Sequence, residues 1–100
     1  MYTLDDKTVT DLREFFNFSD VRINNTQYLI QCLLFRYPKI YKVEICICDS
    51  SLYLVTYDKF GCVFFHELKN IIERADLSIE LSLEMIYESY ESALIKEAMR

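Results

Sequence analysis

The spacing of apolar residues changes twice along the chain, and each change predicts a different kind of element. Apolar residues recur every three or four positions up to about residue 37, alternate with other residues over 40–66, and return to helical spacing from residue 67. The first spacing is typical of an amphipathic helix and the alternation of a strand with one buried face. The sequence therefore predicts two helices, three strands and two further helices.

Capping residues and the single proline set the bounds of the first two predicted helices. Thr3–Asp6 has the form of a helix start and predicts a first helix over 3–17. After a polar connection, Asn25 or Thr26 is expected to cap a second helix that runs up to Pro38. This second helix is apolar nearly all round, which indicates burial on several sides.

The alternating region predicts three strands, over 40–48, 52–57 and 62–66, joined by tight turns at Asp49-Ser50 and 58–61. One sheet face is expected to form the core, and it carries Val43, Ile45, Ile47, Leu52, Leu54, Thr56, Val63 and Phe65. The other face carries Cys46, Cys48, Tyr53, Val55, Tyr57, Cys62, Phe64 and His66. Because the second face mixes apolar and polar residues, we expect a helix or another molecule to cover it in part.

The last third of the chain predicts a short helix over 67–75 and a long amphipathic helix over 76–100. Residues 77–83 also alternate as a strand does, so the first turn of the long helix has two interpretations. The core-facing line of the long helix is expected to be Ile79, Leu83, Ile86, Tyr90 and Leu94. A second apolar set lies nearly opposite and comprises Leu81, Met85, Ile95 and Met99.

The long helix also carries an acidic stripe, formed by Asp76, Glu80, Glu84, Glu88 and Glu91. The first four are spaced four residues apart, and no Lys or Arg occurs until Lys96. Carboxylates at this spacing lie about 5–6 Å apart and repel one another, so the stripe gives the isolated helix no stability. The pattern therefore favours a cationic partner, either within the fold or outside it.

Together these elements predict an α+β fold of one domain, residues 1–100. A three-stranded antiparallel meander packs against the N-terminal helices and the long C-terminal helix, in the order ααβββαα. Hydrophobic residues make up 52% of the chain, enough to build one core.

The net charge of −5 is unevenly distributed. Residues 21–75 are mildly basic, whereas the segments before and after them are acidic. One explanation is that the ends fold back over the basic middle, with a cluster of Arg36, Lys39 and Lys42 pairing with acids of a terminal helix. An acidic chain is a poor nucleic-acid binder, because phosphate affinity comes from Lys and Arg. With no signal peptide and no membrane span in the sequence, we expect a cytoplasmic protein with free thiols.

The chemistry-bearing residues do not predict catalysis. Cys46, Cys48, Cys62 and His66 include the atoms of a metal site, but the predicted sheet holds them too far apart to converge on one ion. His66 lacks a neighbouring nucleophile and an orienting carboxylate. We therefore predict no enzyme activity, no catalytic residue, no metal and no cofactor.

The hypothesis that fits best is a small acidic inhibitor that binds a basic surface of a nuclease or another nucleic-acid-processing protein. Two classes of protein suit such a domain by analogy. One is a phage-encoded antagonist of host defence, such as an anti-CRISPR protein. The other is an immunity protein that neutralises a toxin. The residues expected to bind the partner are Glu80, Leu81, Glu84, Met85, Glu88, Glu91, Tyr53 and Tyr57. The alternative is a homo-oligomeric structural or adaptor module, including a possible homodimer, that associates through the apolar helix face or the tyrosine-bearing sheet face.

Overall fold

The changes of pattern along the chain coincide with boundaries between elements of the fold. A computed structural model describes residues 2–76 and 78–99. Within them lie four helices and three strands in the predicted order. They are α1 (Asp6–Phe16), α2 (Asp20–Arg36), β1 (Ile40–Cys48), β2 (Ser51–Asp58), β3 (Val63–Glu67), α3 (Leu68–Ala75) and α4 (Ile79–Ala98). The predicted α+β fold is confirmed, and the segment from residue 79 is helix rather than strand; Leu77 and Arg100 lie outside the described residues.

The start of α2 corrects one prediction. Helix α1 begins at Asp6 and is capped by Asp5, three residues after the predicted start at Thr3. Helix α2 begins just after Ser19, whose hydroxyl accepts a hydrogen bond from the main-chain N–H of Arg22 at 3.2 Å. The prediction that Asn25 or Thr26 caps α2 is therefore wrong. Thr26 is buried inside the helix, and its hydroxyl donates to the carbonyl of Arg22 at 2.8 Å. The polar residues that resembled a connection form the solvated first turns of the helix.

The sheet is an antiparallel meander in the order β1-β2-β3, as predicted. Asp49 and Ser50 connect β1 to β2 with positive φ angles of 49° and 65°. Two such residues make the tight turn whose twist matches a hairpin. This turn places Ile45 opposite Leu54, as the predicted core face requires.

The register of β3 differs from the prediction by one residue. Leu54 pairs with His66, so Phe64 and His66 lie on the core face of the sheet. Val63 and Phe65, expected in the core, are instead 45% and 63% exposed. The predicted orientation of β3 is wrong, because a shift of one residue turns every side chain of a strand to the other face.

The length of the β2–β3 turn causes this shift. The main-chain N–H of Asp58 donates to the carbonyl of Cys62 at 3.0 Å, which leaves a loop of three residues between them. Its last residue, Gly61, has a φ of 84°, a conformation that glycine adopts without strain. The sequence-based prediction ended the turn at Gly61 and began pairing at Cys62, one position out of register.

The helices cover one face of the sheet and leave the other open. The core includes Leu12 of α1, Leu29 and Leu33 of α2, Leu54 of β2, Leu68 and Ile71 of α3, and Leu83 and Ile86 of α4. Leu83, Ile86 and Tyr90 are buried and Ile79 packs against the core, which confirms the first four positions of the core-facing line predicted for α4. Leu94 is half-buried and is not among the residues that pack against the core. On the open face, Val55 is nonetheless buried, since Glu44 and Phe65 flank it on the neighbouring strands.

A buried carboxylate ties the β2–β3 turn to α4. Asp58, only 1% exposed, accepts hydrogen bonds from the main-chain N–H groups of Phe60 at 2.9 Å and Cys62 at 2.8 Å. Its second oxygen accepts from the hydroxyl of Tyr90 at 2.9 Å. The ring of Tyr90 also meets Phe64 edge to face, with 5.0 Å between the centroids. Burial and the hydrogen bond to Asp58 together raise the pKa of Tyr90 to about 12.

We expect the substitution Tyr90→Phe to lower the free energy of unfolding by about 1–3 kcal/mol, because it leaves one oxygen of a buried carboxylate without its donor. Urea denaturation measures this loss. Tyr87→Phe is the matched control: the hydroxyl of Tyr87 lies near the exposed carboxylate of Glu91, so its removal has a smaller effect. Equal losses for the two variants would contradict the role given to the buried pair.

The buried position of His66 predicts a pH dependence of stability. Burial lowers the pKa of His66 below its usual 6.5, and its Nε2 lies 3.3 Å from the hydroxyl of Thr56. Below pH 6.5 the unfolded chain therefore binds more protons than the folded one, so folding loses stability as the pH falls toward the folded-state pKa.

Urea denaturation at pH 7.5 and 5.5 measures this loss, and the chain has no second histidine to confuse it. The variant His66→Gln should show a smaller difference between the two pH values. An unchanged difference would show that another group titrates.

Candidate functional site

Helix α4 has two opposed faces. Leu83, Ile86 and Tyr90 point into the core, where α4 packs mainly on α3 and to a lesser extent on α2. At about 100° per residue, the opposite side carries Leu81, Ile95 and Met99. Leu81 is 42%, Ile95 59% and Met99 81% exposed. We call this opposite side the outer face of α4.

The first two carboxylates of the acidic stripe are paired within the fold. Asp76 binds Arg22 at 2.5 Å, and Glu80 receives two hydrogen bonds from the guanidinium of Arg36, at 2.6 and 2.5 Å. The hydrogen bond from Arg36 lowers the pKa of Glu80. The expected pairing of Arg36 with an acid of a terminal helix is thus confirmed. Lys42 instead binds Glu44 on its own strand at 2.8 Å, so Arg22 is the second base engaged with the terminal acids.

The unpaired part of the stripe begins at Glu84. Among the residues that the structure describes, neither Glu84 nor Glu88 forms an ion pair with Lys or Arg, and both are exposed. The carboxylate of Glu91 lies near the hydroxyl of Tyr87 and raises the pKa of that tyrosine. The predicted binding residue Glu80 therefore lacks a free carboxylate, whereas Glu84 and Glu88 keep theirs.

Four of the predicted residues converge on a shallow groove along α4. The groove has a volume of about 360 Å³ and is lined by Arg74, Leu81, Glu84, Met85, Glu88, Ser89 and Ser92. Met85 also packs against the core. Arg74, from α3, is the basic residue of this lining, yet it lies beyond ion-pair distance of both carboxylates.

The other two predicted residues lie on a separate surface, the open face of the sheet. Tyr57 donates its hydroxyl hydrogen to Glu44 at 2.9 Å, and Lys42 sits 5.0 Å above its ring. Tyr53 meets Phe65 edge to face at 6.2 Å. Because the helices occupy the opposite face of the sheet, the structure does not bring Tyr53 and Tyr57 together with the α4 residues.

An aromatic stack beside the acidic stripe did not follow from the sequence. The rings of Tyr37 and Tyr87 lie 4.1 Å apart and nearly parallel, at 11°. Burial raises the pKa of Tyr37, and the nearby acids Glu80, Glu84 and Glu91 contribute to the same shift. Tyr37 follows α2 and Tyr87 lies within α4, so only the packing of the two elements places them together. The available signal was the high tyrosine content, which does not specify partners.

The cysteines and His66 are the remaining reactive groups. Cys32, Cys46, Cys48 and Cys62 are free thiols. Over residues 2–76 and 78–99, no cluster of three or more His, Cys, Asp or Glu side chains has the arrangement needed to hold a metal ion. None of the helices in this part of the chain combines the length and apolarity needed to cross a bilayer. What the α4 surface offers chemically is association through carboxylates and apolar side chains.

Comparison with protein-family models, with curated proteins and with solved structures finds no match for this chain.

The contrast between paired and unpaired acids predicts opposite effects of neutral substitutions. We expect Glu80→Gln to lower the melting temperature by a small amount, because Arg36 loses an exposed but bidentate carboxylate. Glu84→Gln and Glu88→Gln should leave it unchanged or raise it slightly, since each relieves repulsion between carboxylates four residues apart. Thermal unfolding followed by circular dichroism compares the three variants. A loss at Glu84 or Glu88 as large as that at Glu80 would indicate an internal partner for those acids.

Proposed function

We propose that the protein is a small non-enzymatic inhibitor that binds a basic surface of a nucleic-acid-processing protein through the outer face of α4. The observation that carries this proposal is the pair Glu84 and Glu88. Both carboxylates are exposed and unpaired with Lys or Arg among the described residues, next to the exposed side chain of Leu81.

Charge supports a basic partner. Within the fold, Glu80 of α4 already binds Arg36 through both carboxylate oxygens, which shows that a guanidinium group fits a carboxylate on this helix. A protein that binds nucleic acid offers a surface rich in Lys and Arg. Acids on a chain of net charge −5 accelerate encounter with such a surface and select its orientation. Occupying that surface would exclude the nucleic acid, which is the inhibitory step.

A capture experiment tests the proposal. The chain is immobilised and exposed to lysate of its native host cell, as wild type and as the double variant Glu84→Lys/Glu88→Lys. We expect wild type to retain a protein that binds nucleic acid on its own and releases it when the purified chain is added. The double variant should retain at least about tenfold less, and so should wild type at 1 M salt, where the screening length falls to about 3 Å.

The matched control is Asp11→Lys/Glu14→Lys, which makes the same change of net charge on α1 while leaving α4 intact. It should retain the partner at close to the wild-type level. All variants must keep the wild-type melting temperature. Equal retention by both double variants, or a partner that does not bind nucleic acid, would remove the proposal.

A homo-oligomeric module is the second candidate, and the open sheet face favours it. Val63 and Phe65 are 45% and 63% exposed there, beside Tyr53 and Tyr57. Sedimentation of the purified chain, run alongside the capture experiment, separates the two candidates. A monomer at high concentration excludes this alternative.

A further inference from the structure

Five residues on the outer face of α4, and Met99 directly after the helix, follow a heptad pattern. They are Leu81, Met85, Glu88, Ser92, Ile95 and Met99, separated by four, three, four, three and four residues. This alternation of threes and fours is the spacing of the contact line between two packed helices. We call these six positions the α4 seam.

The seam is not used by the fold itself. It lies on the side of α4 opposite Leu83, Ile86 and Tyr90, which are buried in the core. Its outer members Leu81, Ile95 and Met99 are exposed, and only Met85 also contacts the core. At 1.5 Å per residue, the seam extends over about 27 Å, the length of a helix of some five turns.

A groove accompanies the first half of the seam. It is formed by residues of α4 together with Arg74 of α3 and measures about 360 Å³. A concave strip beside a line of apolar residues is the shape that receives the side chains of a docked helix. The last turns, from Glu91 onward, contain no fully buried residue among those described, so they leave the seam open at its C-terminal end.

Charge indicates what covers the seam. Glu88 occupies one of its positions, and Glu84 and Glu91 flank it on one side at helical spacing. None of the three is paired with a Lys or Arg side chain in the part of the chain that the structure describes. A second copy of this chain would bring two acidic stripes, each on a chain of net charge −5, into one interface. A helix with basic flanks instead supplies the missing cations.

We therefore propose that the α4 seam docks a single amphipathic helix of the partner, with apolar residues at heptad spacing and Lys or Arg beside them. The identity of the partner in this inference rests on the proposed function. The helical shape of the element that binds does not.

A synthetic peptide of about 21 residues tests the inference. It has three heptads, with Leu at the two contact positions and Lys or Arg at the flanking positions. Calorimetry gives its affinity for the full chain, and amide chemical shifts show where it binds. We expect binding with a Kd in the micromolar range and shifts confined to the α4 seam and the adjoining part of α3. Leu81→Ser/Ile95→Ser should weaken it by at least about tenfold, since exposed apolar anchors carry most of such an interface.

Three controls make the result specific. Phe15→Ser/Val21→Ser removes two exposed apolar side chains from α1 and α2 and should leave the affinity unchanged. A scrambled peptide of the same composition should bind at least about tenfold more weakly, and so should a peptide with Glu at the flanking positions. Equal binding of the ordered and scrambled peptides, or shifts outside the seam, would overturn the inference. A chain that self-associates through the seam, and dissociates in Leu81→Ser/Ile95→Ser, would also overturn it.

The peptide and capture experiments fail independently. Peptide binding without a captured nucleic-acid-binding protein would leave the docking seam in place and remove the proposed function. If capture of a nucleic-acid-binding protein depends on Glu84 and Glu88 but not on Leu81 and Ile95, the proposed function stays and the docking seam is removed.

Discussion

The buried carboxylate of Asp58 fixes the geometry on which the rest of the structure depends. By accepting from two main-chain N–H groups it closes the β2–β3 turn at three residues, and this length decides which side chains of β3 enter the core. By accepting from Tyr90 it holds α4 against the end of the sheet. A single side chain therefore couples the register of an edge strand to the placement of the helix that carries the candidate binding surface.

The acidic stripe contains carboxylates that form ion pairs within the fold and carboxylates that do not. Asp76 and Glu80 lie where α2 presents Arg22 and Arg36, so the repulsion expected from their spacing is offset by ion pairs. From Glu84 onward the described residues provide no such pairs. These exposed ion pairs contribute little to stability. The position of α4 is stabilised mainly by the burial of Leu83, Ile86 and Tyr90. The unpaired carboxylates thus have no evident structural role.

Local patterns predicted the fold well because periodicity and turns are encoded in short segments. The order of elements, the β1–β2 register and the core-facing line of α4 all follow from the spacing of apolar residues. The β3 register does not follow from that spacing, because two turn lengths fit Asp58–Cys62. The turn length depends on the carboxylate of Asp58, which is anchored by the distant Tyr90. The site was predictable to a similar degree. Leu81, Glu84, Met85 and Glu88 share one helix face, whereas the separation of Tyr53 and Tyr57 from them depends on which face of the sheet the helices cover.

The outer face of α4 combines two kinds of group that act at different stages of association. Carboxylates act over roughly the screening length, about 8 Å at physiological salt, and so raise the rate of encounter with a basic partner. Apolar side chains act only in contact, and their burial chiefly slows dissociation. A surface with acids alone would form short-lived, salt-sensitive complexes, and one with apolar residues alone would not discriminate between partners. If α4 docks a partner as proposed, the carboxylates would make the encounter selective and the apolar side chains would slow dissociation.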